Sequence, residues 1–294
     1  MRWNKITLVG VGLLGGSLGL ALRRRKLAKE IAGYVRREAT IAECERVAAT
    51  DFATTDLLAA VSGADLVVLC TPLAQMKALT RQMLPALKRG AIVTDVGSVK
   101  ACVVKEVEAQ VHKVGAHFVA SHPMAGGEKQ GVLAARAELF ENAICVVTPT
   151  PKTNVAALRK VETLWRDLGA RLLRTTPEMH DALVSRSSHL PHLLAATLAN
   201  LVLDPKLPKE QAKLCATGFR DTTRIASGSP EMWRDIALTN RKYLLRAVQS
   251  FKRDLTKFES ALKRKDAEAI VTFFQTAKQR RDNWCAACAS PSPE

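Results

Sequence analysis

The chain has 294 residues, 47% of them hydrophobic and 24% charged, and a formal net charge of +16. This is the composition of a globular protein with room for two domains, and no apolar run reaches the roughly 18 residues of a membrane span. The excess of basic residues calls for anionic partners. It is spread along the chain, and with aromatics at only 5% it points to a phosphorylated cofactor or a multiply charged acid and away from nucleic acid.

The chain enters a β-type run at once, residues 5–9, so no signal peptide is expected. Seven cysteines, odd in number and scattered, suggest reduced thiols and a cytoplasmic setting. The run is followed by Gly10-Val11-Gly12-Leu13-Leu14-Gly15 and then by residues of helical character. Strand, Gly-x-Gly-x-x-Gly and helix in that order form a dinucleotide-binding signature. Gly10 makes the tight turn, Gly12 lets backbone approach a pyrophosphate, and Gly15 lets helix lie close on strand. The helix start, at Leu13 and Leu14, turns free N–H groups toward the phosphates. A second strand is expected over residues 30–35. An NAD site usually has an acid near its end; here Val35 is followed by Arg36 and Arg37, whose guanidinium groups suit a ribose phosphate. Each arginine taken singly also reads as a solvated side chain.

Further strands are expected over residues 64–70, 91–97, 117–120, 143–147 and 170–174, with helices over 75–88, after residue 100 to about 112, and over 153–168. This alternation predicts a doubly wound, mainly parallel sheet, an α/β fold. Its strand ends at Thr71-Pro72, Ser98 and His122 then gather on the edge that holds the glycine loop. Residues 121–131, Ser-His-Pro-Met-Ala-Gly-Gly-Glu-Lys-Gln-Gly, read as a loop that opens on a histidine and can let backbone approach a ligand. Beyond residue 176 the pattern is helical only: a helix over 177–203 disturbed by Pro191, one long amphipathic helix over 231–262, another over 267–283, and a disordered tail around 290–293. His180, His189 and His192 lie in this half without a carboxylate or cysteine cluster at ligand spacing, so no metal is expected. Cys285 and Cys288 have redox spacing but no second pair, and read as inert thiols.

These residues carry a family resemblance. Gly10 to Gly15, Cys70-Thr71-Pro72, Asp95-Val96-Gly97-Ser98-Val99-Lys100, residues 121–131, His180-Asp181, Ser188 to His192, Gly218 to Arg224 and Met232-Trp233 resemble, in order, the motifs of prephenate/arogenate dehydrogenases. The resemblance implies a Rossmann-type dinucleotide-binding domain, residues 1–176, and a helical substrate and dimerisation domain, residues 177–294. It implies oxidative decarboxylation of prephenate, with hydride passing to NADP or NAD. His122 would be the catalytic histidine, facing the ring hydroxyl, and Ser98 would orient it beside the nicotinamide. Arg224 would hold a substrate carboxylate, with His180, His189, His192 and Arg220 lining the pocket and Trp233 contributed across a homodimer. Glu128 favours prephenate over arogenate. A non-catalytic nucleotide-sensing or nucleic-acid-binding protein is the alternative from another class. NADP is the expected cofactor on account of Val35, Arg36 and Arg37.

Overall fold

The computed structural model describes residues 2–289, with side chains through residue 287. The tail expected to be disordered, and the Cys288 side chain, lie outside these. The protein falls into two compact units, divided between Leu244 and Leu245.

The first unit is built on a six-stranded parallel sheet in the order β3-β2-β1-β4-β5-β6. Its strands are β1 (Trp3–Val9), β2 (Ala28–Tyr34), β3 (Phe52–Thr54), β4 (Leu66–Leu69), β5 (Ile92–Asp95) and β6 (His117–Val119). The order is that of a dinucleotide-binding sheet, reversing between β1 and β4. Successive residues of a strand face opposite sides, and the core divides accordingly. Leu66 and Val68 of β4 enter one buried cluster with Leu18, Leu22 and Ile31, while Val67 and Leu69 enter another with Met76, Val107 and Phe118. The helices covering the sheet are α1 (Leu13–Arg24), α2 (Ala39–Arg46), α3 (Leu57–Val61), α4 (Leu73–Met83) and α5 (Ala101–Lys113). α2, β3 and α3 are not among the elements expected from the sequence.

Two expected strands are not in this sheet. β8 (Ile144–Val147) and β9 (Arg171–Arg174) join β7 (Ser121–Pro123) in a separate three-stranded sheet, with α6 (Val155–Asp167) between them in sequence. β7 runs antiparallel to β8, with His122 opposite Val146. The chain changes sheets at Ala120 because buried polar groups seize the backbone there. Ser121 N–H donates to Asp95 Oδ1 at 3.2 Å, and Lys100 Nζ donates to the Ser121 carbonyl at 2.8 Å. Thr94 Oγ1 donates to the Val119 carbonyl at 2.6 Å. These groups replace the ladder that would have continued β6 along β5. His122 is therefore on a short strand and not at the mouth of a loop.

The remainder of the unit is helical: α7 (Pro177–Val184), a π-helical turn (Ser185–His189), α8 (Leu190–Val202), α9 (Lys209–Lys213), α10 (Thr217–Thr223), a 3-10 turn (Arg224–Ser227) and α11 (Pro230–Thr239). Pro191 does not stop the helix; it lacks the N–H that would reach Ser187, and the turn ahead of it widens. The single helix expected over 231–262 is two, α11 and α12 (Arg241–Lys263), broken at Asn240. That residue is 2% exposed and leaves helical geometry (φ −97°, ψ 22°) to turn its amide inward. The second unit comprises α12 beyond Leu244 and α13 (Ala267–Ala289), which meet through Phe258 and Phe273 at 4.8 Å between ring centres. α13 runs past the end expected for it, so Cys285 is an exposed thiol on a helix and not in a frayed tail.

Candidate active site

The register of the main sheet sets Val9, Tyr34, Leu69 and Asp95 in one row across β1, β2, β4 and β5. The residues that follow them form its C-terminal edge. Gly10 has φ +98°, and a Cβ there would lie 2.7 Å from Thr71 Cγ2. A Cβ on Gly15 would lie 2.1 Å from the Gly10 carbonyl oxygen, so any side chain would part helix from loop. Gly12, by contrast, faces open space and begins α1 without a side-chain cap. The first N–H groups of α1 thus keep their donors for an anion, with Leu13 and Leu14 anchored on the core. Thr71 Oγ1 is buried without a partner, beside Pro72 at the start of α4. A glycine cradle, free helix amides and an orphaned hydroxyl fit a dinucleotide.

Val35 is 2% exposed and belongs to the core, while Arg36 and Arg37 are exposed and make no ion pair among the described residues. They follow Tyr34, whose carbonyl accepts from Gly10 N–H at 2.9 Å, so they leave β2 beside the glycine loop. The loop after His122 reaches the same place: Gly127 lies over Leu13, and Val132 and Ala135 lie against Gly16.

His122 is buried on β7, and its neighbour Ser121 is bonded to both Asp95 and Lys100. Lys100 and Asp95 are a fully buried ion pair, with Asp95 also accepting from Gly97 N–H at 2.9 Å. His122 Nδ1 stands 2.8 Å from His180 Nε2, and His180 Nδ1 stands 2.7 Å from Asp181 Oδ1. Both ring nitrogens of His180 are engaged and the residue is 1% exposed, so it supports His122 and does not line a pocket. Burial holds the His122 pKa well below the usual histidine value, with His180 and Lys100 adding to the effect. Burial lowers His180 too, against the opposing pull of Asp181.

Asn240 joins the next histidine to this group. Its Nδ2 donates to the Asp181 carbonyl at 2.9 Å and lies 3.1 Å from His189 Nδ1. An amide N–H can only donate, so His189 Nδ1 accepts and its Nε2 carries the hydrogen. That Nε2 is buried without a partner, a donor awaiting an acceptor. Burial brings the His189 pKa down to about 4. His192 donates from Nδ1 to the Ser188 carbonyl at 2.9 Å and stacks on Trp233 with ring centres 3.9 Å apart. This stack is made within one chain.

Arg224 forms an ion pair with Glu128, both partly exposed. Beside them is a cavity of about 540 Å³ whose lining includes Phe219, Arg220, Thr223 and Cys215. None of the histidines lines this cavity; the link is His192, whose pKa feels both Arg224 and Glu128. Ser98 is half-buried at the sheet edge, and its hydroxyl makes no hydrogen bond among the described residues. Three parts of the site had not been assigned a role from sequence: Asp181, Asn240 and the Asp95–Lys100 pair. Adjacency of Asp181 to His180 was the available signal for the first; nothing local distinguishes Asn240. Among the described residues no group of His, Cys, Asp or Glu is placed to hold a metal ion, and no helix is long and apolar enough to cross a membrane.

A dinucleotide-binding sheet whose edge carries a buried neutral histidine, with cations beside it, defines a nicotinamide-dependent oxidoreductase. The model of the prephenate dehydrogenase nucleotide-binding domain matches residues 18–174, and that of the prephenate dehydrogenase dimerization domain matches residues 176–276. The chain belongs to the prephenate dehydrogenase family. It is 35% identical to a prephenate dehydrogenase of Bacillus subtilis over 281 residues, 95% of this chain and 76% of that one. The crystal structure of prephenate dehydrogenase from Aquifex aeolicus, in complex with hydroxyphenyl propionate and NAD+, superimposes with a TM-score of 0.90 at 32% identity, covering 96% of this chain and 99% of that one. Synechocystis arogenate dehydrogenase gives a TM-score of 0.79 at 32% identity, covering 95% and 99%.

Proposed function

We propose that the protein oxidatively decarboxylates prephenate to 4-hydroxyphenylpyruvate. The observation that carries this is His122, buried, neutral and backed by His180 at the edge shared with the glycine loop. A bound nicotinamide would accept the hydride from the ring carbon that bears the hydroxyl. His122 takes the hydroxyl proton as that oxygen becomes a carbonyl. The bond from the ring to its carboxylate then breaks, carbon dioxide leaves, and the electron pair completes the aromatic ring. The proton held on His122 returns to the phenolate, so charge and protons balance. General base action of this kind contributes about 10²–10⁴ in rate.

Ser98, with its hydroxyl uncommitted, orients the reacting hydroxyl at the sheet edge. His189 Nε2–H donates to a substrate oxygen, and Arg224 and Arg220 hold carboxylate charge, with His192 and Trp233 closing the pocket between them. Arg224 reaches a ligand by leaving Glu128, a pair that on an exposed surface contributes about 0–1 kcal/mol and so yields readily. Glu128 favours prephenate over arogenate on the strength of the family motif over residues 121–131 that carries it. Residues 1–176 serve the dinucleotide and residues 177–294 the substrate and a homodimer, a division supported by family models that meet between residues 174 and 176. NADP is favoured over NAD by the valine at the end of β2 and by the free guanidinium groups of Arg36 and Arg37.

The test is spectrophotometric. Purified protein should reduce NADP or NAD in a prephenate-dependent way, with a larger kcat/KM for prephenate than for arogenate. No reduction with either cofactor overturns the activity, and a clear preference for arogenate overturns the substrate.

A further inference from the structure

The group behind His122 has a direction. His122 and His180 are 58 positions apart in sequence, and Asp181 closes the series through His180. The far end settles which atom carries each hydrogen. Asp181 accepts from the backbone N–H groups of Lys100 at 2.7 Å and Ala101 at 2.9 Å, the start of α5. Backbone amides cannot reverse, and a carboxylate at a helix start is stabilised as the anion. The hydrogen between Asp181 and His180 therefore sits on His180 Nδ1. A neutral imidazole has one N–H, so His180 Nε2 is bare and must accept from His122 Nδ1–H. His122 is then left with a bare Nε2.

We propose that His180 and Asp181 are positioning residues that hold His122 in its Nδ1–H tautomer, so that Nε2 faces the substrate as a proton acceptor. The other tautomer would present an N–H to the hydroxyl and could take no proton from it. The arrangement also answers the charge that forms. When Nε2 takes the hydroxyl proton, the new N–H bond makes His122 cationic, while its Nδ1–H stays directed through His180 toward the Asp181 anion. The other charged and titratable groups acting on His122 are Lys100 and His189, which oppose that cation. Lys100 is itself neutralised by Asp95. Asn240, bonded to the Asp181 carbonyl, ties α7 in place beneath the series. This inference rests on His122 being the base of the proposed reaction.

Two variants at His180 and one spectrum test it. In His180→Leu nothing accepts from His122 Nδ1, and kcat should fall on the order of a hundredfold while KM for both substrates changes less than threefold. In His180→Gln the side-chain oxygen can stand where Nε2 stood, and kcat should stay within tenfold of the parent. Neither substitution removes the Asp181 cap on α5, and circular dichroism checks that both variants are folded. Nitrogen-15 spectra of histidine-labelled protein, assigned with His122→Asn, should show His122 protonated at Nδ1 and bare at Nε2 in the parent at neutral pH. In His180→Leu they should show a mixture of tautomers. An Nε2–H signal for His122 in the parent, or undiminished kcat in folded His180→Leu, overturns the proposal. Failure to turn over prephenate would strike the functional reading instead, since the spectrum needs no substrate.

Discussion

At the scale of single residues, the proposed reaction depends on His122 remaining neutral. Its pKa is held well below the usual histidine value by burial, so the acceptor form persists below pH 6.5. His122→Asn removes proton acceptance and leaves the glycine loop untouched. Turnover should drop by about a hundredfold or more with cofactor affinity unchanged, measured by steady-state rates and cofactor titration. Near-parental turnover would move the base elsewhere among the histidines. In the proposed reading Arg36 bears on cofactor choice at the same scale. A charge-assisted bond to a ribose phosphate commonly contributes about 1.5–3 kcal/mol, and the lower figure corresponds to roughly tenfold in affinity. Arg36 is exposed, so salt screening acts against it. Arg36→Ala should raise KM for NADP several-fold and leave KM for NAD unchanged. A parent enzyme that uses NAD better than NADP makes the two arginines ordinary surface residues. Val35 is the poorer probe: an aspartate there would bury a carboxylate in the core, confounding cofactor choice with stability.

At the scale of elements, α7, the π turn and α8 form the segment on which three of the histidines lie. The π turn, which ends at His189, inserts between His180 and His192 and so sets the faces of α7 and α8 independently. The segment makes the fold acid-sensitive. A histidine in the unfolded chain titrates near 6.5, whereas folded His189 titrates at about 4, and His122 and His180 are also lowered. Below pH 6.5 the unfolded chain takes up protons that the native protein refuses, so stability falls as pH falls, until the folded groups protonate in turn. For His189 alone the window from 6.5 to about 4 corresponds to a loss of about 3 kcal/mol. The melting temperature should therefore decline steadily from pH 6.5 to pH 4, by calorimetry or circular dichroism. A melting temperature that is flat across this window would show that these histidines are hydrated in solution.

At the scale of the whole molecule, the second unit leaves apolar side chains in water. Leu255, Leu262, Val271 and Phe274 are all more than half exposed along α12 and α13. Such a surface suits an association face, and the family's second domain is named for dimerization. Sedimentation at assay concentrations should give twice the chain mass; a fully active monomer would refute the dimer. Much of this molecule could be read before any coordinate. The glycine loop, the buried strands and the helix-only half are local patterns, because side-chain period and glycine content act within a few residues of themselves. The motif residues His122, Thr71 and Ser98 follow from strand ends for the same reason. What the tertiary structure alone decided are the long-range polar bonds. The chain leaves the main sheet at Ala120 because Asp95 and Lys100 take its backbone groups. The long helix breaks at Asn240 because that amide reaches Asp181 and His189, more than fifty positions away. His180 turns from pocket wall to support because α7 delivers its carboxylate to the first amides of α5. A polar side chain has the same letter in a sequence whether water or a buried partner satisfies it. Only packing removes the water, and only then does the partner determine its role.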